Sequence, residues 1–283
     1  MTGPILGRLG RRSAAAAARH AALIAASVVV LFPFAWIAAA GFKTQIALLT
    51  GQILFRPTLA NFQSVLFSNT SDYVRNFTNS VVVGLASAAL VLVVATLAGY
   101  SLRRMAWPRW VVHGLLGWSL VFHMVPPITL AGAWYVMFGA VGLNDAYLGL
   151  ILAHTTLNLP MALWIMAIFI ADLPAEVFEA ARIDGASTPQ ILGHVVVPLV
   201  APGLAVAGIL TFIFSWNEFA VALTLTQRAT ATVPVAIGKF AQENTINYTQ
   251  MAAASLLATA PAILLLLIAQ RFIVRGLTAG AVK

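Results

Sequence analysis

The chain has 283 residues, 61% of them hydrophobic and only 8% charged, with a mean hydropathy of +0.93. A soluble domain carries about 45–50% apolar and about 25% charged residues, so this composition excludes an ordinary water-soluble globule and places the chain in a bilayer. The 16 Lys+Arg against 8 Asp+Glu would point to nucleic acid in a soluble protein, but here the basic residues stand between apolar stretches, where they set topology. The absence of cysteine excludes a disulfide framework, a thiolate metal site and a cysteine nucleophile.

Crossing roughly 30 Å of hydrocarbon takes about 20 mostly apolar residues. Six stretches meet that length: 23–42, 77–102, 111–133, 146–171, 202–225 and 251–270. Pro33, the Pro126-Pro127 pair, Pro160 and Pro261 fall within four of them, and such breaks are tolerated where neighbours satisfy the freed carbonyls, often beside cavities. Four arginines precede the first stretch and Ala38-Ala39-Ala40 resembles a small-residue cleavage site. The uncharged run is nevertheless longer than the 7–15 residues of a signal core, so the reading keeps it as the first span.

With the N-terminus inside, Arg8, Arg11, Arg12, Arg19, Arg103, Arg104, Arg109, Arg182, Arg271, Arg275 and Lys283 lie on the inner side. Lys43, Arg56, Arg75, Arg228 and Lys239 lie outside. That asymmetry orients both termini to the cytoplasm. The expected organisation is a cytoplasmic arm over 1–22, a first transmembrane helix over 23–42 and a polar, turn-rich outer segment over 43–76. A membrane core over 77–275 and a cytoplasmic tail over 276–283 complete it.

Several chemistries are missing. None of the three lysines ends a G-x-x-x-x-G-K-[ST] loop, so the chain carries no phosphate-cradling P-loop. The five histidines form no H-E-x-x-H pair, and metal binding is not expected. His154 and Asn158 share a helix face at i, i+4, which fits either an interhelical hydrogen bond or a binding role. Glu218 is the one acid inside a span, and an intramembrane carboxylate is a functional candidate by default. It sits in Ser215-Trp216-Asn217-Glu218-Phe219, on a solute path, hydrated near the outer interface or paired with a neighbouring chain. Gly84 with Ala88, and Ala95 with Gly99, are small-residue pairs that let helices approach closely, within the chain or against a partner.

The inner segment between the fourth and fifth spans, 172–198, concentrates charge. Asp172 is the expected N-cap of a helix with Pro174 in its first turn, running over 175–183 and stopped by Asp184-Gly185, where glycine accepts a positive φ. Ser187 is the expected cap of a second short helix with Pro189 early in it. Ala180-Ala181 leaves room for another protein to approach, with Glu179 and Asp184 as charged handles. The bracket reads as a docking element, against the plainer reading of an amphipathic interfacial loop.

Glu179-Ala180-Ala181, Gly185, Val195, Val197 and Pro198 resemble the E-A-A-x3-G-x9-I-x-L-P motif of binding-protein-dependent ABC importer permeases. Val195 and Val197 stand where the motif has Ile and Leu. Trp216-Asn217-Glu218-Phe219 and the tail from Gly276 to Lys283 are similar to the maltose-type carbohydrate subgroup. The resemblance implies an all-α integral membrane protein with six transmembrane helices and the type I ABC importer fold, with a cytoplasmic coupling helix between spans four and five, within 173–198.

The same resemblance implies an inner-membrane permease, with no catalytic or metal site of its own, that imports a sugar-like solute. Its implied partners are a second permease subunit, two ABC ATPase subunits, and a periplasmic or lipid-anchored solute-binding protein. The lipid bilayer surrounds it and nucleic acid plays no part. This chain would bind no cofactor, ATP and Mg being held by the ATPase. Glu179, Ala180, Ala181, Asp184, Gly185 and Pro198 would couple to that motor, with 176–191 seated in it and the tail reaching between the motor subunits. Asn158, Asn217 and Glu218 are the candidates for the solute path. The rival readings are a gradient-driven transporter using Glu218, disfavoured by the lack of visible repeats, and a lipid-acting membrane enzyme, disfavoured by scattered histidines.

Overall fold

The computed structural model describes the backbone of residues 3–241 and 246–279, and the side chains of 16–241, 246–265, 267 and 268. The described residues are helical wherever they are regular. In chain order they form α1 (Gly3–Gly41), α2 (Gln45–Leu49), α3 (Ala60–Phe67), α4 (Tyr73–Arg104), α5 (Arg109–His123), α6 (Pro127–Ala140) and α7 (Tyr147–Ala171). Then come α8 (Ala175–Ile183), α9 (Thr188–Gln190), a π-helical turn (Ile191–Val196), α10 (Val197–Leu199) and α11 (Ala201–Asn217). The last elements are α12 (Ala220–Leu225), α13 (Val233–Lys239) and α14 (Tyr248–Ala279). Residues 280–283 of the expected tail, and the side chains of 276–279, lie outside the described residues.

Among the described residues, four helical stretches are long and apolar enough to cross a membrane: Ala16–Gly41, Tyr73–Arg104, Tyr147–Ala171 and Tyr248–Leu265. Two further pairs qualify only when joined across a bend, Arg109–His123 with Pro127–Ala140 at 94° and Thr188–Leu199 with Ala201–Asn217 at 79°. The third expected span, 111–133, is therefore a broken helix. Pro126 and Pro127 each lack an N–H, so α5 ends at His123 and α6 restarts with Pro127 in its first turn, where a missing donor costs nothing. Pro33, Pro160 and Pro261 lie inside continuous helices. The fifth expected span is interrupted as well, because α11 stops at Asn217 and Glu218-Phe219 separates it from α12.

The chain divides into two compact units. Residues 1–71 with 240–257 form one. There the Asn61 amide donates to the carbonyls of Gly41 and Lys43, both at 2.8 Å. The buried Lys43 ammonium donates to the Gln52 carbonyl at 2.7 Å between the rings of Trp36 and Phe55.

Residues 72–239 with 258–283 form the other unit, built around α4 packed on α7 and α11. The small-residue pairs act here within the chain. A Cβ at Gly84 would stand 2.9 Å from the Phe212 ring, which would have to shift, and one at Gly99 3.3 Å from the Ala167 backbone nitrogen, a tight contact, so glycine eases both approaches. One end of the unit is a continuous core of Val91, Ala95, Tyr100, Met166, Ile170, Phe178, Ile191, Val196 and Val200, which seats the segment after α7.

Candidate functional site

Three constellations in the second unit bear on function. The first is the bracket between α7 and α11. Helix α8 runs over Ala175–Ile183, as its composition predicts, but Asp172 does not cap it. Pro174 is the N-cap, without a side-chain bond, and Asp172 instead closes α7. The three-residue spacing from Asp172 to Ala175 allows Leu173 and Pro174 to turn the chain first.

The C-terminus of α8 is a Schellman motif: the Gly185 N–H donates to Arg182 O at 3.0 Å and the Ala186 N–H to Ala181 O at 3.0 Å, with Gly185 at φ +74°. Ser187 begins α9, and its N–H and hydroxyl both meet Gln190 Oε1 at 2.8 Å, half of a capping box. The π-helical turn that follows fits Pro198, which has no N–H for the His194 carbonyl and whose ring crowds that turn.

One side of this bracket is driven into the protein. Phe178 is buried, 6.3 Å from the Tyr100 ring and under the Arg104 guanidinium at 4.2 Å. The same Arg104 Nη2 donates to Ile170 O at 2.7 Å and Leu173 O at 2.6 Å, satisfying carbonyls that the end of α7 leaves without helical partners. Glu179, Ala180, Asp184, Gly185 and Pro198 are exposed and Ala181 is half-buried. Ile183, at the tip beside Asp184, is 86% exposed. The sequence reading did not single out the exposed Ile183 and took Arg104 only as a topological charge. The period of α8, which buries Phe178 and turns Ile183 outward, was the available signal.

The second constellation is a cavity of about 470 Å³ that gathers all three path candidates. Asn158, Asn217 and Glu218 line it together with Phe122, His123, Pro127 and Phe219, so the α5–α6 break and the α11–α12 break face each other across it. Glu218 is engaged within its own chain. Its Oε1 accepts the Val221 N–H and its Oε2 the Ala222 N–H, both at 2.9 Å, which caps the short helix α12. Behind it stands buried His154, whose Nδ1 lies 2.6 Å from Ser215 Oγ, while its Nε2 is 3.6 Å from Glu218 Oε2, beyond hydrogen-bond reach. Asn158 Nδ2 donates to His154 O at 2.8 Å. The interhelical role for His154 thus stands, and Asn158 both braces its own helix and reaches the cavity wall. Among the described residues no group of acids and histidines is arranged to hold a metal.

The third constellation went unread in the sequence. In the turn between α6 and α7, Asp145 adopts a positive φ of 52°. Its carboxylate accepts the backbone N–H groups of Gln227, Arg228, Ala229 and Thr230 at 3.0, 3.3, 3.1 and 3.0 Å, and the Thr230 hydroxyl at 2.9 Å. Partial burial pushes this carboxyl up, but the bonds from Gln227, Thr230 and Ala229 outweigh it and hold the group down at about 2. Asn79 donates to the carbonyls of Ala229 and Ala231 at 3.0 and 2.9 Å and accepts the Tyr147 hydroxyl at 2.6 Å. Ser80 Oγ accepts the Val233 N–H at 2.8 Å. Asparagine and aspartate tolerate a positive φ, so Gly142-Leu143-Asn144-Asp145 carried the one local hint of this turn.

Comparison with known proteins adds three findings. The family model described as "Binding-protein-dependent transport system inner membrane component" matches residues 95–279. The chain is 35% identical to the trehalose transport system permease protein SugB of Mycobacterium tuberculosis, over 89% of this chain and 92% of that one. It is 32% identical to the trehalose/maltose transport system permease protein MalG of Thermococcus litoralis, over 91% and 93% of the two chains. In fold it is similar to a chain of a bacterial ABC transporter involved in the import of alginate, with a TM-score of 0.77 at 19% identity, covering 92% of this chain and 97% of that one.

Proposed function

The chain belongs to the binding-protein-dependent transport system inner membrane component family, and from that premise we propose how this permease works. It is a transport component rather than an enzyme, the membrane subunit of an ABC importer. Its solute is a sugar or sugar-like molecule, a reading supported by relatives whose names specify trehalose, trehalose/maltose and sulfoquinovosyl glycerol. Its working assembly contains a second permease subunit, two ATPase subunits that hold ATP and Mg, and an external solute-binding protein. Each bent helix pair counts as one span, giving six, with both termini cytoplasmic.

One observation carries the coupling mechanism. The bracket of α8 to α10 is plugged into the core by Phe178, Ile191 and Val196 on one side, and leaves the motif residues Glu179, Ala180, Asp184 and Gly185 exposed on the other. An element so built passes a push on its outer side directly to α4 and α7, because packed interiors transmit displacement rather than absorb it. Residues 173–198 are the coupling segment, with 176–191 seated in a cleft of one ATPase. ATP-driven closure of the motor then rocks the spans and exposes the cavity lined by Asn158, Asn217 and Glu218 to alternate sides. A gradient-driven cycle titrating Glu218 is not adopted, since both its oxygens are engaged in capping α12.

The test is ATPase activity and uptake in the reconstituted complex, with Glu179→Ala and Gly185→Asp compared against wild type. Binding protein loaded from a sugar panel serves as the stimulus. Stimulated hydrolysis that both variants lose, with the permease still present in the membrane, supports coupling through the bracket. Normal transport by both variants would sink it.

A further inference from the structure

We propose that Asp145 is a positioning residue of the transport cycle: it fastens the α6–α7 turn to the α12–α13 connector, so that the two short helices walling the cavity, α6 and α12, move as one body. The inference rests on the reading of that cavity as the solute path. Each of these helices begins at a break that lines the cavity, α6 at Pro127 and α12 at Ala220. Each break is a place where backbone bonds are absent and the chain can pivot. Two helices hinged separately would wall the cavity independently unless something joined them.

The join is a continuous polar and apolar path. Leu143 N donates to Phe138 O at 2.8 Å, and the Asn144 amide donates to Tyr135 O at 2.9 Å, which fixes the turn to the end of α6. Asp145 N then donates to Leu225 O at 2.8 Å, the last residue of α12. Its carboxylate gathers the next four amide hydrogens, those of residues 227–230. Behind this path Ala131 of α6 packs with Val221 and Leu225 of α12, backed by Trp134 and Phe138. A non-glycine residue at positive φ persists when its surroundings over-determine it, and the bonds from 225–230 do that. A carboxylate is the group the site demands: it accepts from every side, whereas an amide would turn an NH₂ toward amide hydrogens.

The experiment measures distances between pairs of spin labels in the reconstituted importer, nucleotide-free and trapped with ATP and vanadate. The chain contains no cysteine, so introduced thiols are its only labelling sites. One pair at Met137 and Leu223 joins α6 to α12, and a second at Leu120 and Met137 straddles the α5–α6 break; all three positions are exposed. The expected result is a 137–223 distance that stays fixed between states while 120–137 shifts, and a 137–223 distribution that broadens in Asp145→Asn and, to a lesser degree, in Thr230→Val. A 137–223 distance that shifts in wild type as much as 120–137 overturns the proposal. So does a distribution that Asp145→Asn and Asp145→Ala leave unchanged. If neither pair moves, the cavity does not open at these breaks, and the solute-path reading fails and takes the proposal with it. Lost uptake in Asn158→Ala with both distances as in wild type supports both readings, since it leaves the joined motion intact.

Discussion

The bracket between α7 and α11 and the connector between α12 and α13 are both short and irregular, yet they are held by opposite means. The bracket is held by burial: Phe178 sits under Arg104, while Ile191, Val196 and Val200 join the core formed by Val91 and Ala95 of α4 with Met166 and Ile170 of α7. The connector, Thr226 to Thr232, has no large apolar side chain to bury, and its backbone is tied instead by Asp145 and Asn79. Burial is non-directional, so it can anchor one side of an element and leave the other free for a partner. A set of convergent hydrogen bonds fixes orientation as well as position, which suits a loop that must hold two helices in register.

The sharpest way to break the comparison is to remove the apolar plug. Phe178→Ala deletes the buried ring through which α8 meets Tyr100 and Arg104, and such truncations cost about 3–5 kcal/mol. Thermal unfolding of the purified permease should show the largest loss in this variant, with ATPase coupling lost alongside. A melting temperature close to wild type would mean that the bracket is held by something other than burial.

Asp145→Asn probes the opposite region, with a smaller expected loss of about 1–2 kcal/mol after allowance for its solvent exposure. Its folded carboxyl is held at about 2, below the roughly 3.9 of an unfolded aspartate. The depressed value contributes stability that is fully present above about 4, and that is lost as pH falls through about 2. The difference in melting temperature between wild type and Asp145→Asn should therefore be constant from neutral pH down to about 5 and should shrink below about 4. A pH-independent difference would assign its effect to shape rather than charge.

Much of this was legible in the sequence, and what was not has physical reasons. The long helices are written in runs of apolar residues, and Asp184-Gly185 marks the end of α8 because a Schellman turn needs a residue that accepts positive φ. The Pro126-Pro127 break was visible as a pair of missing donors, but its 94° bend and the packing of α6 on α12 are encoded by no local pattern. Glu218 was visible as an intramembrane acid; its neighbour His154 is distant in sequence, and its capping of α12 required α11 to end where the apolar run continues. Asp172 failed as a cap because α7 runs one residue short of it and uses it as its own C-cap. Asp145 lies in a loop with nothing beside it in sequence to mark its targets, 82 to 85 positions away.

Gly185→Ala is expected to cost a similar amount. The new Cβ meets no atom within 4 Å, so only the left-handed backbone at φ +74° resists it, a strain of about 1–2 kcal/mol. Calorimetry should show a modest drop, and Gly185→Asn should recover part of it, since asparagine enters that region more readily. Equal losses in the two variants would mean the Schellman turn is not what limits the bracket.

The smallest effect on stability belongs to the outward face, and it sharpens the comparison most. Glu179 and Ile183 are exposed on the side of α8 opposite Phe178, and surface substitutions away from packing features change stability by within about 0.5 kcal/mol. Glu179→Ala and Ile183→Asp should unfold at the wild-type temperature while the ATPase co-purifies poorly and its stimulation by loaded binding protein falls. An exposed isoleucine beside two acids has no stabilising role within this chain, because burial is where an apolar side chain contributes. If these variants lose stability in step with coupling, the outward face is part of the fold and the division between a buried anchor and a free docking side does not hold. If stability stays and coupling goes, the two sides of one nine-residue helix carry separate tasks, and the bracket's anchoring by burial is what keeps them separate.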